Sequence, residues 1–117
     1  MRDATPLVRG LERAGLTIAT GESLTAGMVA SHIADVPGAS AVLQGGVVAY
    51  QVSVKRDVLG VDAVLLERHG PVHPEVAEQM AIGAARECGA RIGVSTTGVA
   101  GPEPHGGHSA GTVYIGW

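Results

Sequence analysis

The stretch that decides the fold runs from Leu16 to Val36, LTIATGESLTAGMVASHIADV. Its first five residues are apolar or β-branched, which is typical of a buried strand, and the small polar residues 21–23 predict a sharp turn. Beyond the turn, apolar residues recur at helical spacing, and Ser23 or Thr25 is placed to cap this helix. The residues of its inner face are Met28, Val29, His32, Ile33 and Val36. The stretch predicts strand, turn and helix, with a hydroxyl at the carboxyl end of a strand, where α/β proteins often bind ligands.

Ser23 has two interpretations from the sequence alone. Serine at a helix start is most often a simple N-cap, but a serine in a strand-to-helix turn also suits a nucleophile. Residues 21–25 lack the second glycine of the G-x-S-x-G motif, and Ala26 stands where S-x-x-K requires lysine. A nucleophilic Ser23 therefore needs a base from elsewhere in the chain. The neighbouring Glu22 either fixes a nearby loop or is a solvated acid favoured by the helix dipole.

Length and composition predict one domain over residues 1–117, and they exclude several functions. The 45% hydrophobic content suits a folded core, while 18 glycines and no phenylalanine indicate closely approaching backbones. A net charge of -3, no basic run and few aromatic residues argue against nucleic acid as a partner. No apolar run is long enough to span a membrane and no signal peptide is visible, so we expect a cytoplasmic protein with no membrane partner. Cys88 is the only cysteine and is expected to be a packing residue.

The rest of the chain alternates helices and strands. We expect a first helix, capped by Thr5 or Asp3, to place Leu7 and Leu11 inside and to end at Gly15. The next strand, Gln44 to Gln51, contains two glycines that mark a bulge or a close approach. Two short helices follow, capped by Ser53 and Asp62, and then a longer helix from His73 and Pro74 to Gly89. The last predicted strands are 91–97 and 111–117.

This alternation predicts a layered α/β domain with helices on both faces of the sheet. The chain stops at Trp117, on a strand expected inside the sheet, so one edge or face lacks its cover. Either a partner subunit covers it or the sequence is a fragment.

Lys55 is the only lysine beside seven arginines. A lone lysine is either a solvated helix residue or one retained because it can lose its proton, which arginine cannot do. A buried Lys55 would accept the proton of Ser23, and Tyr50 would share the same pocket. Thr96, Thr97 and the amides of residues 98–101 would stabilise an oxyanion or hold an anionic ligand, although they also suit an ordinary turn.

No metal or cofactor is expected. His69 and His73 are separated by Gly70 and Pro71, and His105 lies in a loop without supporting cysteines. The phosphate-binding patterns GxxxxGK[ST] and GxGxxG are missing.

Five blocks of sequence closely resemble one family over nearly the whole chain. They are Glu22-Ser23-x-Thr25-x-Gly27, Val36-Pro37-Gly38-Ala39-Ser40, Gly46-Val47-Val48-x-Tyr50 with Lys55 and Leu59-Gly60-Val61, Thr97-Gly98-Val99-Ala100-Gly101-Pro102, and Gly111-Thr112-Val113-Tyr114-Ile115. The family is the C-terminal domain of the competence/damage-inducible CinA proteins, which also occurs alone as nicotinamide-nucleotide amidohydrolase (PncC).

The resemblance implies a three-layer α/β/α sandwich on a mixed, mainly parallel sheet. It also implies deamidation of nicotinamide mononucleotide to nicotinate mononucleotide and ammonia, a step of pyridine nucleotide recycling, without cofactor or metal. By analogy Ser23 is the nucleophile, Lys55 its general base, and Tyr50 and Thr97 orient the pair or donate to the oxyanion. The residues implied in substrate binding are Glu22, Thr25, Gly27, Gly46, Gly98, Ala100 and Gly101.

The chain also departs from the family pattern. Ala26 replaces a common glycine, and Gly70-Pro71-Val72-His73 replaces a run ending in a small hydroxyl residue. The family's last strand and helix are expected to be missing, which favours an alternative function as a catalytically silent nucleotide-binding or assembly module. A third hypothesis is an amidase for another small amide. An exposed sheet edge predicts a homo-oligomer.

Overall fold

The structure, a computed structural model, describes residues 3–117. Its strands are β1 (Ile18–Glu22), β2 (Leu43–Val48), β3 (Ile92–Gly98) and β4 (Val113–Gly116). Its helices are α1 (Thr5–Ala14), α2 (Met28–Ala34), α3 (Val52–Asp57), α4 (Ala63–His69) and α5 (Pro74–Cys88), with a 3-10 turn at Ala39–Ala41.

The four strands form one sheet in the order β2-β1-β3-β4. Strand β1 lies inside it, parallel to β2 on one side and to β3 on the other, while β4 runs antiparallel to β3. All five residues of β1 are buried, which agrees with the apolar run at its start. The strand begins at Ile18 and not at Leu16, and the predicted turn at residues 21–23 is wrong for Gly21 and Glu22, because both still pair with the neighbouring strands. The predicted mixed, mainly parallel sheet is confirmed.

Separate apolar clusters cover the two faces of the sheet. Ile18 packs with residues of α1 and α2, including Val8 and Ile33. Its neighbour Ala19 points the other way and packs with residues that include Met80 of α5. Consecutive strand residues thus serve opposite clusters, as the pleat requires. The molecule is the predicted three-layer α/β/α sandwich.

Close packing explains the glycines of β2. A bulge at the start of its pairing with β1 shifts the register between Ile18 and Ala19. A Cβ on Gly45 would lie 3.3 Å from the Cys88 sulfur, and one on Gly46 would overlap the Thr20 hydroxyl. Of the two alternatives for these glycines, a close approach of another segment is confirmed at both, with Cys88 packed on Gly45, whereas the register shift falls at Gln44 beside them.

The start, the end and the buried face of helix α1 can each be compared with the predicted first helix. The N-cap is Ala4, so neither predicted cap occupies that position, although the Asp3 carboxylate accepts hydrogen bonds from the amide and hydroxyl of Thr5 at this end of the helix. Gly15 ends the helix in the left-handed conformation, as predicted. The predicted inward position of Leu7 is wrong, because Leu7 is exposed and Val8 lies inside with Leu11.

Hydroxyl capping is wrong at two other predicted helix starts. Helix α2 begins at Met28 after Gly27, with neither Ser23 nor Thr25 as its cap, and Met28 itself is exposed. Ser53 lies inside α3, whose N-cap is Gln51. In both cases the helix begins at a residue other than the one that the nearest hydroxyl suggests.

The starts of α4 and α5 agree with their predictions. Asp62 accepts from the amide of Val64, and the ring nitrogen Nδ1 of His73 accepts from the amide of Glu75. Helix α5 begins at Pro74 and ends before Gly89.

Strand β4 forms one edge of the sheet in the described chain, rather than the interior position expected for it. Its side chains Val113 and Ile115 are exposed, and Trp117 beyond it is 85% exposed. Among residues 3–117, no helix has the length and apolar character that a bilayer span requires.

Candidate active site

The connections that follow β1 and β2 leave the sheet toward opposite faces. After β1 the chain enters α2, which packs on the α1 side, whereas after β2 it enters α3 to α5, which include the helices of the opposite face. In the strand order β2-β1-β3 the chain first pairs one neighbour with β1 and later the other, and this reversal of strand order opens a crevice outside the carboxyl ends of the three strands. Ser23 directly follows β1, and Ala49 to Lys55 follow β2, so both segments border this crevice.

The crevice brings Ser23 and Lys55 together. Lys55 Nζ lies 2.8 Å from Ser23 Oγ. Ser23 is 7% exposed and Lys55 is 1% exposed, so the contact is shielded from bulk water. The backbone amide of Ser23 donates to the carbonyl of Thr96 at 3.0 Å, which continues the pairing of β1 with β3 and fixes the serine in place.

Two backbone carbonyls hold the lysine. Lys55 Nζ donates to the carbonyl oxygens of Ala49 at 2.9 Å and of Tyr50 at 3.0 Å. A neutral amine has two N–H donors and one lone pair. With both donors held by the carbonyls, the lone pair of a neutral Lys55 points toward the Ser23 hydroxyl, which would then be the donor. The arrangement therefore suits proton transfer from serine to lysine.

Burial favours the neutral form of Lys55. Desolvation lowers the pKa of Lys55 from 10.5 to about 8. The described chain contains no ion pair to Lys55 that would oppose this shift. A sizeable fraction of the side chain is therefore neutral near physiological pH, as a general base requires.

Glu22 builds the turn that carries Ser23. Its buried carboxylate accepts from the Thr25 hydroxyl at 2.6 Å and from the amides of Val29 and Ala30 at 2.8 and 2.9 Å. Burial alone would raise the pKa of Glu22, but these hydrogen bonds hold it below its ordinary value. Of the two interpretations of Glu22, fixing a loop is confirmed, and the carboxylate satisfies amides at the start of α2 in place of a hydroxyl cap.

Thr25 and Thr96 extend this network to β3. Their hydroxyl oxygens are 2.8 Å apart. Because Thr25 already donates to Glu22, Thr96 is the donor in this contact. The chain of hydrogen bonds ties the turn after β1 to the neighbouring strand, which keeps the position of Ser23 rigid.

A cavity of about 450 Å³ opens in front of the Ser23 and Lys55 contact. Cavities of about 300–1,000 Å³ are typical of small-molecule sites. It is lined by Ser23, Leu24, Tyr50, Gln51, Val52, Lys55, Pro71, Val72, Thr97, Gly98, Val99, Ala100, Gly101, Glu103 and His105.

Several residues that line this cavity have a backbone amide that makes no hydrogen bond within the described chain. Within residues 3–117, the amides of Leu24, Ala100 and Gly101 have no hydrogen-bond acceptor. Leu24 follows Ser23 directly, and the amide after a nucleophile is a common oxyanion donor. The amide of Val99, by contrast, donates to the Thr112 carbonyl.

The predicted catalytic residues Tyr50 and Thr97 both line the cavity, in different ways. Tyr50 contacts Lys55 through its backbone carbonyl, and its side chain is 58% exposed. Thr97 is buried, and its hydroxyl donates to the carbonyl of Pro71 at 2.7 Å. Thr97 therefore anchors the segment before α5 and does not hydrogen-bond to the Ser23 and Lys55 pair.

The residues predicted to bind substrate divide into two groups. Gly98, Ala100 and Gly101 line the cavity. Glu22, Thr25, Gly27 and Gly46 do not line it, because the first two hold the turn, Gly27 adopts a φ of 101° before α2, and Gly46 packs on Thr20.

Sequence reasoning missed several lining residues, among them Leu24, Gln51, Glu103 and His105. Leu24 could have been predicted from the sequence, because it directly follows the predicted nucleophile. Glu103 and His105 belong to a loop whose path over the cavity has no signature in the sequence.

Within the described part of the chain, no group of three or more histidine, cysteine or acidic side chains is arranged to hold a metal ion. The rings of His69 and His73 lie close together, with centroids 4.7 Å apart and planes tilted by 33°.

The family profile of the CinA C-terminal domain matches residues 3–117. The chain belongs to this family. The blocks that suggested the resemblance include the turn around Ser23 and the segment that carries Lys55, so the family match covers both sides of the candidate active site.

Curated relatives of this CinA domain are competence-damage inducible proteins. The one from Bacillus velezensis is 46% identical over 118 residues, and the one from Geobacillus kaustophilus is 49% identical over 117 residues. Each match covers 97% of this chain and 28% of the relative. The chain thus spans little more than a quarter of the length of these relatives.

Solved CinA structures share the fold. A CinA superfamily protein from Escherichia coli superposes with a TM-score of 0.92 at 32% identity, covering 96% of this chain and 66% of that protein. A competence/damage-inducible protein from Agrobacterium tumefaciens gives a TM-score of 0.91 at 35% identity, with coverage of 96% and 68%.

Proposed function

We propose that this CinA domain is an amidohydrolase that converts nicotinamide mononucleotide to nicotinate mononucleotide and ammonia in the cytoplasm, as a step of pyridine nucleotide recycling. The observation that carries the proposal is the buried 2.8 Å contact between Lys55 Nζ and Ser23 Oγ. Burial lowers the pKa of Lys55 to about 8, which supports its assignment as the base.

In the first half of the proposed reaction, neutral Lys55 takes the proton of the Ser23 hydroxyl as Oγ attacks the carboxamide carbon. The amide of Leu24 is our candidate to stabilise the oxyanion, since Leu24 follows the nucleophile, lines the cavity and has an amide without an acceptor in residues 3–117. The carbon–nitrogen bond then breaks, and the proton held by Lys55 passes to the departing nitrogen to give ammonia. Ser23 is left as an ester of the nicotinate product.

In the second half, water replaces ammonia. Lys55, neutral again, accepts a proton from a water molecule as its oxygen attacks the ester carbon. The bond to Ser23 Oγ breaks, Oγ recovers its proton from Lys55, and the carboxylic acid product leaves. Each half uses the same base, so no metal ion is required by this scheme.

The choice of substrate rests on the family resemblance, with the cavity as support. Its volume of about 450 Å³ leaves room for a group larger than a simple amide. The amides of Ala100 and Gly101, which have no acceptor in residues 3–117, would provide donors for the acidic part of a nucleotide.

Ammonia release from nicotinamide mononucleotide tests the proposal. We expect turnover by the purified chain, loss of turnover in Ser23→Ala, and unchanged turnover in Ser40→Ala, an exposed serine away from the cavity. Nicotinamide and glutamine, offered at the same concentration, are expected to react more slowly. Faster release from glutamine would favour an amidase for another small amide.

The alternative is a catalytically silent nucleotide-binding or assembly module. The names of the curated relatives refer to competence and damage induction, which is compatible with such a module. A folded chain that binds nicotinamide mononucleotide but releases no ammonia between pH 6 and 10 would favour this alternative over the amidohydrolase.

A further inference from the structure

The polar side chains of the cavity occupy two zones. In the deep zone, Ser23, Lys55 and Thr97 are all buried. At the mouth, Tyr50, Glu103 and His105 are exposed. A ligand with a carboxamide on a ring would place the carboxamide in the deep zone. The residues at the mouth would then contact the substituent on the other side of the ring.

Residues 99–112, here called the mouth loop, are held at both ends. At the base, the amide of Val99 donates to the Thr112 carbonyl and the amide of Gly111 donates to the Val99 carbonyl, both at 2.8 Å. At the tip, His105 and His108 exchange two backbone hydrogen bonds of 2.9 Å. The His108 ring packs edge-on against Tyr114 at 6.1 Å. These contacts give Glu103, which lies between base and tip, a defined place at the mouth.

The Glu103 side chain is an unused acceptor. Among the described residues, no hydrogen bond or ion pair involves its carboxylate. Among the described residues that line the cavity, Lys55 is the one Lys or Arg side chain, and it is buried and engaged with Ser23. A carboxylate that lines a ligand cavity without a cation beside it is free to accept from a ligand.

We propose that Glu103 is a specificity-determining residue that accepts hydrogen bonds from the sugar hydroxyls of an N-glycosylated ring amide. This inference rests on the proposed function, because it assumes that the carboxamide lies at Ser23. With the amide in the deep zone, the sugar on the ring nitrogen extends toward the mouth. Vicinal hydroxyls are good donors to a carboxylate, which is how acidic residues recognise ribose in dinucleotide-binding proteins.

A ring nitrogen that carries a sugar is positively charged, so Glu103 could act through this charge or through hydrogen bonds to the sugar hydroxyls. We favour the hydrogen bonds. Glu103 is exposed, and an exposed ion pair contributes little because solvent and salt screen it. A hydrogen bond to a charged acceptor keeps more of its strength, since it depends on direct contact.

Binding to the Ser23→Ala protein tests the proposal without turnover. Three ligands are titrated by calorimetry: nicotinamide, 1-methylnicotinamide, which adds the positive charge, and nicotinamide riboside, which adds the charge and the hydroxyls. We expect Glu103→Ala, made in the Ser23→Ala protein, to weaken riboside binding about tenfold. Binding of the other two ligands should change less than about twofold. Glu78→Ala, an exposed acid outside the cavity, is the matched control and should change none.

Two results would overturn the inference. Equal weakening of riboside and 1-methylnicotinamide binding would show that Glu103 acts by charge alone. Unchanged riboside binding would show that Glu103 does not contact the sugar. If the riboside binds tightly but the parent chain releases no ammonia from any amide, the proposed function fails while the assignment of Glu103 is judged by the binding data.

Discussion

Lys55 and Ser23 are 32 residues apart in the chain, and their side chains meet at 2.8 Å beyond the carboxyl ends of two neighbouring parallel strands. Ser23 is delivered by the turn after β1, and Lys55 by the first turns after β2. The contact exists because neighbouring parallel strands end at the same edge of the sheet and their helices then diverge. The proposed chemistry depends on this meeting of two connections.

Burial of Lys55 predicts a pH dependence of stability. The pKa of Lys55 is about 8 in the folded chain and 10.5 in the unfolded chain. Between these values the unfolded state binds more protons, so the free energy of unfolding rises with pH. We expect the parent to gain stability relative to Lys55→Met from pH 8 to 10.5, as measured by urea denaturation. A constant difference between the two proteins over this range would show that the lysine is charged when folded.

Glu22 predicts a second stability effect. Glu22→Gln replaces an acceptor of three hydrogen bonds by an amide whose NH₂ group cannot accept, so we expect a loss of about 2–3 kcal/mol at pH 7. The folded carboxyl has a lowered pKa, so its contribution is present above pH 4.5 and is lost as pH falls toward the folded pKa. Urea denaturation at several pH values checks this. The control Glu78→Gln, on the exposed face of α5, should leave stability unchanged at pH 7.

Two helical glycines predict opposite effects of alanine. A Cβ on Gly83 in α5 would overlap the carbonyl of Leu59, so Gly83→Ala is expected to cost more than about 3 kcal/mol. At Gly10 in α1 the nearest atom is 4.0 Å away, and Gly10→Ala should stabilise the chain by about 0.5–1 kcal/mol. Thermal unfolding of both variants measures the difference. A mild effect at Gly83 would contradict the close approach of α5 to residue 59.

Within residues 3–117 the outer edge of β4 has no neighbouring strand, and we propose that this chain forms a homodimer through it. Ile115 and Trp117 are exposed beside the unpaired edge of this strand. Light scattering after gel filtration should give the mass of a dimer, and Ile115→Lys should shift it to the monomer. The control Val64→Lys, an exposed valine on α4, should leave the dimer intact. A parent chain that remains monomeric at high concentration would contradict the proposal.

Much of the fold is predictable from the sequence because the spacing of apolar residues and the residues that start or end helices indicate the same elements. Asp62, Pro74 and Gly89 mark helix ends in the structure as they do in the sequence, since each supplies the backbone chemistry that the end requires. Hydroxyl capping failed at Ser23 and Ser53. A hydroxyl predicts only the possibility of a cap, and at Ser23 the pairing of its own amide with Thr96 extends the strand and delays the helix to Met28.

The candidate site is predictable where a residue type or position stands out and suits a chemical role. A lone lysine and a hydroxyl at a strand end led to the two side chains that now lie in contact. The resemblance alone would have placed Glu22 and Gly46 at the substrate, whereas their contacts are with the turn and with Thr20. Glu103 was not predictable, because the course of a glycine-rich loop depends on backbone hydrogen bonds that its composition does not specify.

The most direct test of the central claim is the pH dependence of kcat/KM for ammonia release from nicotinamide mononucleotide, measured for the parent, Ser23→Ala and Lys55→Arg. We predict that the parent rate rises with an apparent pKa near 8, as Lys55 becomes neutral. Lys55→Arg, which keeps the charge but cannot act as a base, and Ser23→Ala should be inactive while remaining folded by circular dichroism. Turnover near the parent rate in either variant would contradict the Ser23 and Lys55 mechanism.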